Sequence, residues 1–237
     1  MNKTKLAVFD IDGTIFRSSL IIELVNLLVE KQVFPKGLNK EIEEDYIAWA
    51  NRQGSYDNYI SKVVEAYIKY IKGTKESVVR QTAREIIEYQ KNKVYIFTRE
   101  LLKRLKSENY YLLAISGAPE IIVAEFAKTL GFDKYYGARY EVISGKFSGQ
   151  IVNDTAWNKH EILSQFVKDN KQFNLKDAVG VGDSEIDITF LDIVGNPIAF
   201  NPDFKLATYA KKKKCRIVVE RKNVVYDIKD FDFEITS

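Results

Sequence analysis

LAVFDIDGTIF, residues 6–16, decides how this chain is read. Leu6, Ala7, Val8 and Phe9 form a short apolar run of the kind that makes a strand buried on both faces. The run ends in two aspartates one residue apart, followed by Gly13 and Thr14. A carboxylate is costly to bury unless it is paired or holds a metal. Asp10 and Asp12 also stand close enough to feel each other's charge. A strand that delivers both into a glycine turn therefore calls for a positive partner. The plainer reading makes them turn carboxylates that cap the helix that follows.

Outward from this stretch the pattern changes twice. From residue 17 to about 92 every apolar run repeats at three- and four-residue steps, in four candidate helices separated by Pro35 and Gly37, Gly54 and Gly73. Ser18 or Ser19 is expected to cap the first, and Thr74 or Ser77 the fourth. The stripe from Tyr56 to Ile71 reads as helix core. From Val94 onward helices alternate with strands: TRELLKRLKSEN, YYLLAIS ending at Ser116, PEIIVAEFAKTLG, a hairpin around Ser144-Gly145, KHEILSQFVKDN, AVGVGDS, EIDITFLDIVG, PIAF, DFKLATYAKKKK and RIVV. Strands alternating with helices of this length imply parallel βαβ units. The expected architecture is a doubly wound α/β core, residues 1–16 with 93–237, carrying an all-helical insertion over residues 17–92.

Composition removes several functions. Of 237 residues, 36 are basic and 33 acidic, a net charge of +3 that makes no case for nucleic acid as a partner. The N-terminal apolar run is too short for a signal peptide, and Glu23, Asn26 and Glu30 interrupt the most apolar helix, so neither export nor a membrane is expected. Cys215 is the single cysteine, which fits a reducing, cytoplasmic setting. With His160 as the single histidine, a zinc site of several His or Cys ligands is impossible. His160 itself reads as a helix-surface residue, and Lys211–Lys214 as a solvated helix end.

In an open α/β sheet, ligands bind outside the carboxyl ends of the strands. The first strand ends in Asp10 and Asp12, the second in Ser116-Gly117, and the third in GDSEID with Asp183 and Asp187. If these strands are neighbours, the carboxylates share one crevice and need a cation. Oxygen donors without His or Cys favour magnesium, which keeps waters and pairs with a substrate phosphate. That is the composition of a phosphoryl-transfer site.

These motifs resemble those of the haloacid dehalogenase superfamily: DIDGT (10–14), Ser116 in AISGAP, Lys159 in WNKHEIL and GDSEID (182–187), in the order that superfamily uses. The helical insertion sits where its first type of cap domain sits. The hairpin, the NP at 196–197 and the DFKLATYAKKK helix are most similar to the phosphoserine-phosphatase-like subgroup. The resemblance implies a magnesium-dependent phosphomonoester hydrolase acting on a small soluble metabolite, with phosphoserine phosphatase proper or a phosphotransferase as alternatives. It implies that Asp10 is the nucleophile and Asp12 the general acid and base. It further implies that Asp10, Asp12 (through its carbonyl) and Asp183 bind the metal, that Asp187 serves it through water or by orienting the groups around it, and that Ser116, Gly117 and Lys159 hold the phosphoryl oxygens. Asp12 argues against a dehalogenase, which lacks that second aspartate.

Phosphoserine-selective relatives carry a glutamate soon after the first motif and an asparagine within the fourth. Here those positions are Ser19 and Ile186. Both changes remove a polar partner for an ammonium group. Arg17, at the boundary of core and insertion, is the candidate for a second anionic group on the substrate. The insertion itself is expected to be a mobile cap hinged near Phe16 and Val94.

Overall fold

The computed structural model describes residues 3–231 and 233–235. Its centre is an eight-stranded, mostly parallel sheet in the order β4-β3-β2-β1-β5-β6-β7-β8. The strands are β1 (Lys5–Phe9), β2 (Tyr110–Pro119), β3 (Lys134–Ile143), β4 (Lys146–Asn153), β5 (Val179–Gly182), β6 (Asn196–Phe200), β7 (Arg216–Arg221) and β8 (Val224–Ile228). The helices are α1 (Leu20–Glu30), α2 (Leu38–Ala50), α3 (Tyr56–Ile71), α4 (Glu76–Gln90), α5 (Ile96–Ser107), α6 (Glu120–Leu130), α7 (Lys159–Asp169), α8 (Ile188–Leu191) and α9 (Phe204–Lys213). This is the doubly wound α/β architecture expected from the alternation. Among the described residues no helix is long and apolar enough to cross a membrane.

β1 is central, parallel to β2 on one side and to β5 on the other. Its side chains alternate between faces, as a strand's must. Ala7 and Phe9 join the core under α1, α4, α5 and α6; Leu6 and Val8 join the core under α7, α8 and α9. With both faces covered, β1 is apolar throughout after Lys5, and its polar residues collect at its carboxyl end.

Three expectations need correction, and one strand is added to them. EIDITFLDIVG is not one helix: a single 3₁₀ turn at Glu185–Asp187 leads into the four-residue α8, because Asp187 turns back to bond the chain before it. The second strand runs past Ser116 to Pro119, with an irregular register against β3 after Ile115. α4 starts after Lys75 without a side-chain cap from Thr74 or Ser77. A last strand, β8, pairs antiparallel with β7.

The helical insertion is more firmly tied down than a segment hinged at two points. The crossings do lie together: Tyr95 N–H donates to the Ile15 carbonyl at 3.0 Å and Arg17 N–H to that of Lys93 at 2.9 Å. The apolar faces of α1 and α4 merge into one core with Phe16 and α6, and the Phe16 and Phe126 rings meet edge-on at 5.3 Å. A second tie joins the α3–α4 turn to the β3–β4 turn. Gly73 N–H donates to the Phe147 carbonyl (2.8 Å), Phe147 N–H to Thr74 (3.0 Å) and Glu76 N–H to Gly145 (2.9 Å). The Tyr67 and Tyr140 rings pack beside this clamp at 5.1 Å. α2 is the least embedded helix of the insertion and buries only Leu38 and Ile42.

Candidate active site

The three strand ends singled out in the sequence are neighbours, and their side chains converge. Asp10, buried, follows β1, and its N–H continues the ladder to the Val181 carbonyl at 3.0 Å. Oxygens of Asp10, Asp183 and Asp187 all lie within 4.8 Å of one another. Lys159, the first residue of α7 and 3% exposed, reaches between them. Its Nζ donates to Asp10 Oδ1 and to Asp187 Oδ1, each at 2.6 Å. A lysine this deeply buried persists only because both charges face it.

Each carboxylate is held differently. Asp187 is fully engaged: beyond Lys159, its Oδ2 accepts from Asp183 N–H (2.9 Å), Ser184 N–H (3.1 Å) and Ser184 Oγ (3.2 Å). Asp183 Oδ1 accepts from Thr14 Oγ1 at 2.8 Å. Asp12 turns away from the lysine: its Oδ1 accepts Leu20 N–H at 3.0 Å, and its Oδ2 the Ser19 hydroxyl at 3.1 Å. Asp12 thus caps α1, a task expected of Ser18 or Ser19, while Ser19 spends its hydroxyl on Asp12. The two first readings of Asp12, helix cap and site carboxylate, are therefore compatible.

Two glycines make the approach possible. Gly13 has φ +76°, and a Cβ there would stand 2.1 Å from Asp183 Oδ2. At Gly182 a Cβ would stand 2.4 Å from that of Asp187. Any other residue at either position would push a carboxylate out of the cluster.

The electrostatics follow from one ammonium among four carboxylates. Burial, reinforced by Asp187 and Asp12 against the pull of Lys159, raises the pKa of Asp10 to about 7. Burial raises Asp12 to about 6, opposed by the Leu20 amide and Ser19. Burial, with Asp10 and Asp187 adding to it, holds Asp183 well above the usual carboxylate range. Burial would depress Lys159, but Asp10 and Asp187 override it and keep the amine charged. An all-oxygen donor set with this much uncompensated negative charge fits a hard divalent cation.

Beside the cluster, Ser116 is wholly buried and its Oγ accepts Ala118 N–H at 3.1 Å, which leaves its proton available. Thr155 Oγ1 bonds the Ser116 carbonyl at 2.5 Å and pins this loop to the segment that leads into Lys159. At Gly117 a Cβ would press on Ala156 at 3.1 Å. Arg17 is exposed at the crossing, with its guanidinium 5.6 Å from the ring of Tyr95, whose phenol also feels the charge of Asp183. Ile186 sits in the 3₁₀ turn. Glu23 is taken up by Ser18 (2.8 Å), Gln90 (2.8 Å) and Lys93 (2.8 Å). Burial opposes these contacts, yet they hold its pKa below the ordinary value.

Two residues, Thr155 and Tyr56, and the hydroxyl of Thr14 lie beyond sequence reasoning. Thr14 and Thr155 act through hydroxyl bonds across 169 and 39 residues of chain, which no local pattern signals. Tyr56, the first residue of α3, belongs to the stripe that reads as helix core. It is 40% exposed, its phenol meets the Ser19 hydroxyl, and the charges of Asp12 and Asp183 help burial to raise its pKa.

A family model described as haloacid dehalogenase-like hydrolase matches residues 7–192. A phosphoserine phosphatase of Methanocaldococcus jannaschii is 28% identical over 94% of this chain and 95% of its own. A histidinol-phosphatase of Neisseria meningitidis is 22% identical over 88% of this chain and 95% of its own. Among solved structures, a phospho-aspartyl intermediate analogue of phosphoserine phosphatase superposes with a TM-score of 0.61 at 24% identity, covering 94% of this chain and 96% of that one.

Proposed function

The chain belongs to the haloacid dehalogenase-like hydrolases, and on that premise we propose that it is a magnesium-dependent phosphatase that cleaves a small phosphate monoester through an aspartyl-phosphate. The observation that carries this reading is the Asp10–Lys159–Asp187 triad at 2.6 Å, with Asp183 alongside, at the carboxyl end of the sheet.

Asp10 is the nucleophile. Lys159 occupies its Oδ1 and leaves Oδ2 to attack phosphorus. The P–O ester bond breaks as the Asp10–phosphorus bond forms, and Asp12 gives its proton to the departing alcohol oxygen. A pKa near 6 lets Asp12 hold that proton close to neutrality. In the second half the Asp12 carboxylate takes a proton from water as that water attacks phosphorus. The Asp10–phosphorus bond breaks and phosphate leaves. Lys159, Ser116 and the Gly117 amide hold the phosphoryl oxygens, where pre-set donors stabilise charge as it spreads. Asp187 acts through Lys159 and the Asp183 amide as a positioning residue. Magnesium would be held by Asp10, Asp183 and the Asp12 carbonyl. Bound there, it would neutralise the non-bridging phosphoryl oxygens.

Residues 17–92 are the cap over a core of residues 1–16 and 93–237. The relatives named for phosphoserine and for histidinol phosphate differ in the alcohol they release, so the leaving group is read by residues outside the shared floor. Cytoplasmic location fits the single buried Cys215.

Phosphate release from a panel of phosphorylated small molecules, with magnesium and after chelation, tests the reading. Asp10→Asn keeps size and shape and is expected to lower turnover by at least about 10³-fold while remaining folded. Turnover by folded Asp10→Asn, or full turnover after exhaustive chelation, would contradict it.

A further inference from the structure

We propose that the aromatic face formed by the end of α2 and the start of α3 selects phosphate esters whose alcohol carries an aromatic or heteroaromatic ring. The proposal rests on the phosphatase reading above and names the substrate class for that site.

Tyr56 is the anchor. Ser55 caps α3 by accepting Asn58 N–H at 3.1 Å, which fixes Tyr56 at the helix start. The Tyr56 phenol meets the Ser19 hydroxyl, and Ser19 bonds Asp12 at 3.1 Å. With Asp12 as the general acid for the departing oxygen, Tyr56, one hydroxyl away from it, flanks the path of the ester's alcohol. From Tyr56 the aromatic surface continues outward. Trp49 lies 5.4 Å away and stacks on Tyr59 at 5.5 Å and 11°. Tyr46 closes the group, 6.0 Å from Trp49 and 5.4 Å from Tyr59.

A contact made only to join two helices is served by aliphatic side chains that bury fully. Here Tyr46 is 47% and Tyr56 40% exposed, and α2 buries only Leu38 and Ile42. The rings therefore offer surface that α2 and α3 do not consume. An amino acid would instead need a free carboxylate for its ammonium. Glu23 is already held by Ser18, Gln90 and Lys93, and Ser19 is held by Asp12. Asp57, the next residue of α3, lies near Asp203, Glu185 and Lys205 and is the one acidic group close to Tyr56 on that helix. A flat ring slid against Tyr56 and Trp49 gains stacking as well as buried area, and loses nothing for want of a counter-charge.

The test compares 2-phenylethyl phosphate with n-butyl phosphate, two primary-alcohol esters of similar leaving-group acidity, using the full chain with magnesium. The expected kcat/KM ratio is about tenfold or more in favour of the aromatic ester. Trp49→Ala and Tyr56→Leu, each checked for folding by circular dichroism and thermal melt, are expected to bring that ratio toward one, chiefly through KM. A ratio near one in the unmodified protein would overturn the proposal alone, with the phosphatase reading intact. So would a ratio that both variants leave untouched, or a preference for phosphoserine over both esters, which would make Asp57 the ammonium partner. Turnover of none of these esters would overturn the phosphatase reading and this proposal together.

Discussion

The carboxyl ends of β1, β2 and β5 and the N-terminal end of α3 meet at Asp12, one from below and one from above, and they are built on different physics. The floor is charged and buried, and nearly every polar atom has a fixed partner: Lys159 between Asp10 and Asp187, Thr14 on Asp183, Ser184 on Asp187. The roof is aromatic and half-exposed, held by ring contacts and one helix cap. Charge chemistry at phosphorus is the same for every monoester, so the groups that perform it gain from being over-determined. The alcohol differs from ester to ester, and adaptable apolar contacts suit it. The base of the roof is tied to the core as well, since the α3–α4 turn is bonded to the β3–β4 turn. That tie leaves α2 and the start of α3 as the part of the insertion least held by the core.

If floor and roof divide the work in this way, changing the floor should lower turnover of all esters alike. Lys159→Met removes the charge but keeps much of the volume. It is expected to cost about 10²–10³-fold in kcat, equally for aliphatic and aromatic esters. Steady-state kinetics on both esters check this, and a loss confined to one ester class would break the division.

The floor is also where stability and pH meet. Asp10 and Asp12 are raised from 3.8 to about 7 and about 6. The folded, cation-free chain therefore keeps protons that the unfolded chain releases. That contribution is complete below about pH 4 and is lost as pH rises through 6 to 7, so the cation-free protein melts lower at pH 8 than at pH 5 on account of these groups. Magnesium should reverse this. Its stabilisation is expected to be larger at pH 8 than at pH 5 by about 1–2 kcal/mol, roughly 2–8 °C for a chain this size. Calorimetry at both pH values, with and without magnesium, measures it. Equal increments would mean that the raised Asp10 carboxylate is not among the cation's ligands.

Ser19 is the seam between the two regions, donating to Asp12 while meeting Tyr56. Ser19→Ala is expected to have the smallest effect: about 1 kcal/mol, or fivefold in kcat, with the pH profile of kcat shifted upward as Asp12 loses a bond to its charged form. An unchanged profile would separate roof from floor more sharply than drawn here.

Much of the floor was legible because its residues fall at places the chain pattern defines. Asp10 and Asp183 follow apolar strands, Ser116 closes the apolar run of another, Lys159 opens a helix, and parallel βαβ order makes β1 the neighbour of both β2 and β5. The roof was not legible. Tyr56 and Tyr59 repeat at the same helical step as Val63 and Tyr67, and periodicity cannot say which member of a stripe reaches past the helix end. The Ser19–Asp12 bond and the Gly73–Phe147 tie join distant segments through single hydroxyl or amide groups, and no local signal marks them. EIDITFLDIVG looked like one helix because its apolar spacing is helical, whereas Asp187 is drawn to Lys159 and two backbone amides and ends the turn early.

The division rests on Asp10 carrying the phosphoryl group and Asp12 releasing it by activating water. The most direct measurement is acid quench of Asp12→Asn turning over an activated aryl phosphate, followed by peptide mass spectrometry. An aryl leaving group needs little proton assistance, so the first half should run while the second stalls without its base. A phosphoryl group on the peptide that contains Asp10, at close to one per chain, is the expected result. No phosphopeptide during continued turnover, or a phosphoryl group on any other residue, would contradict it.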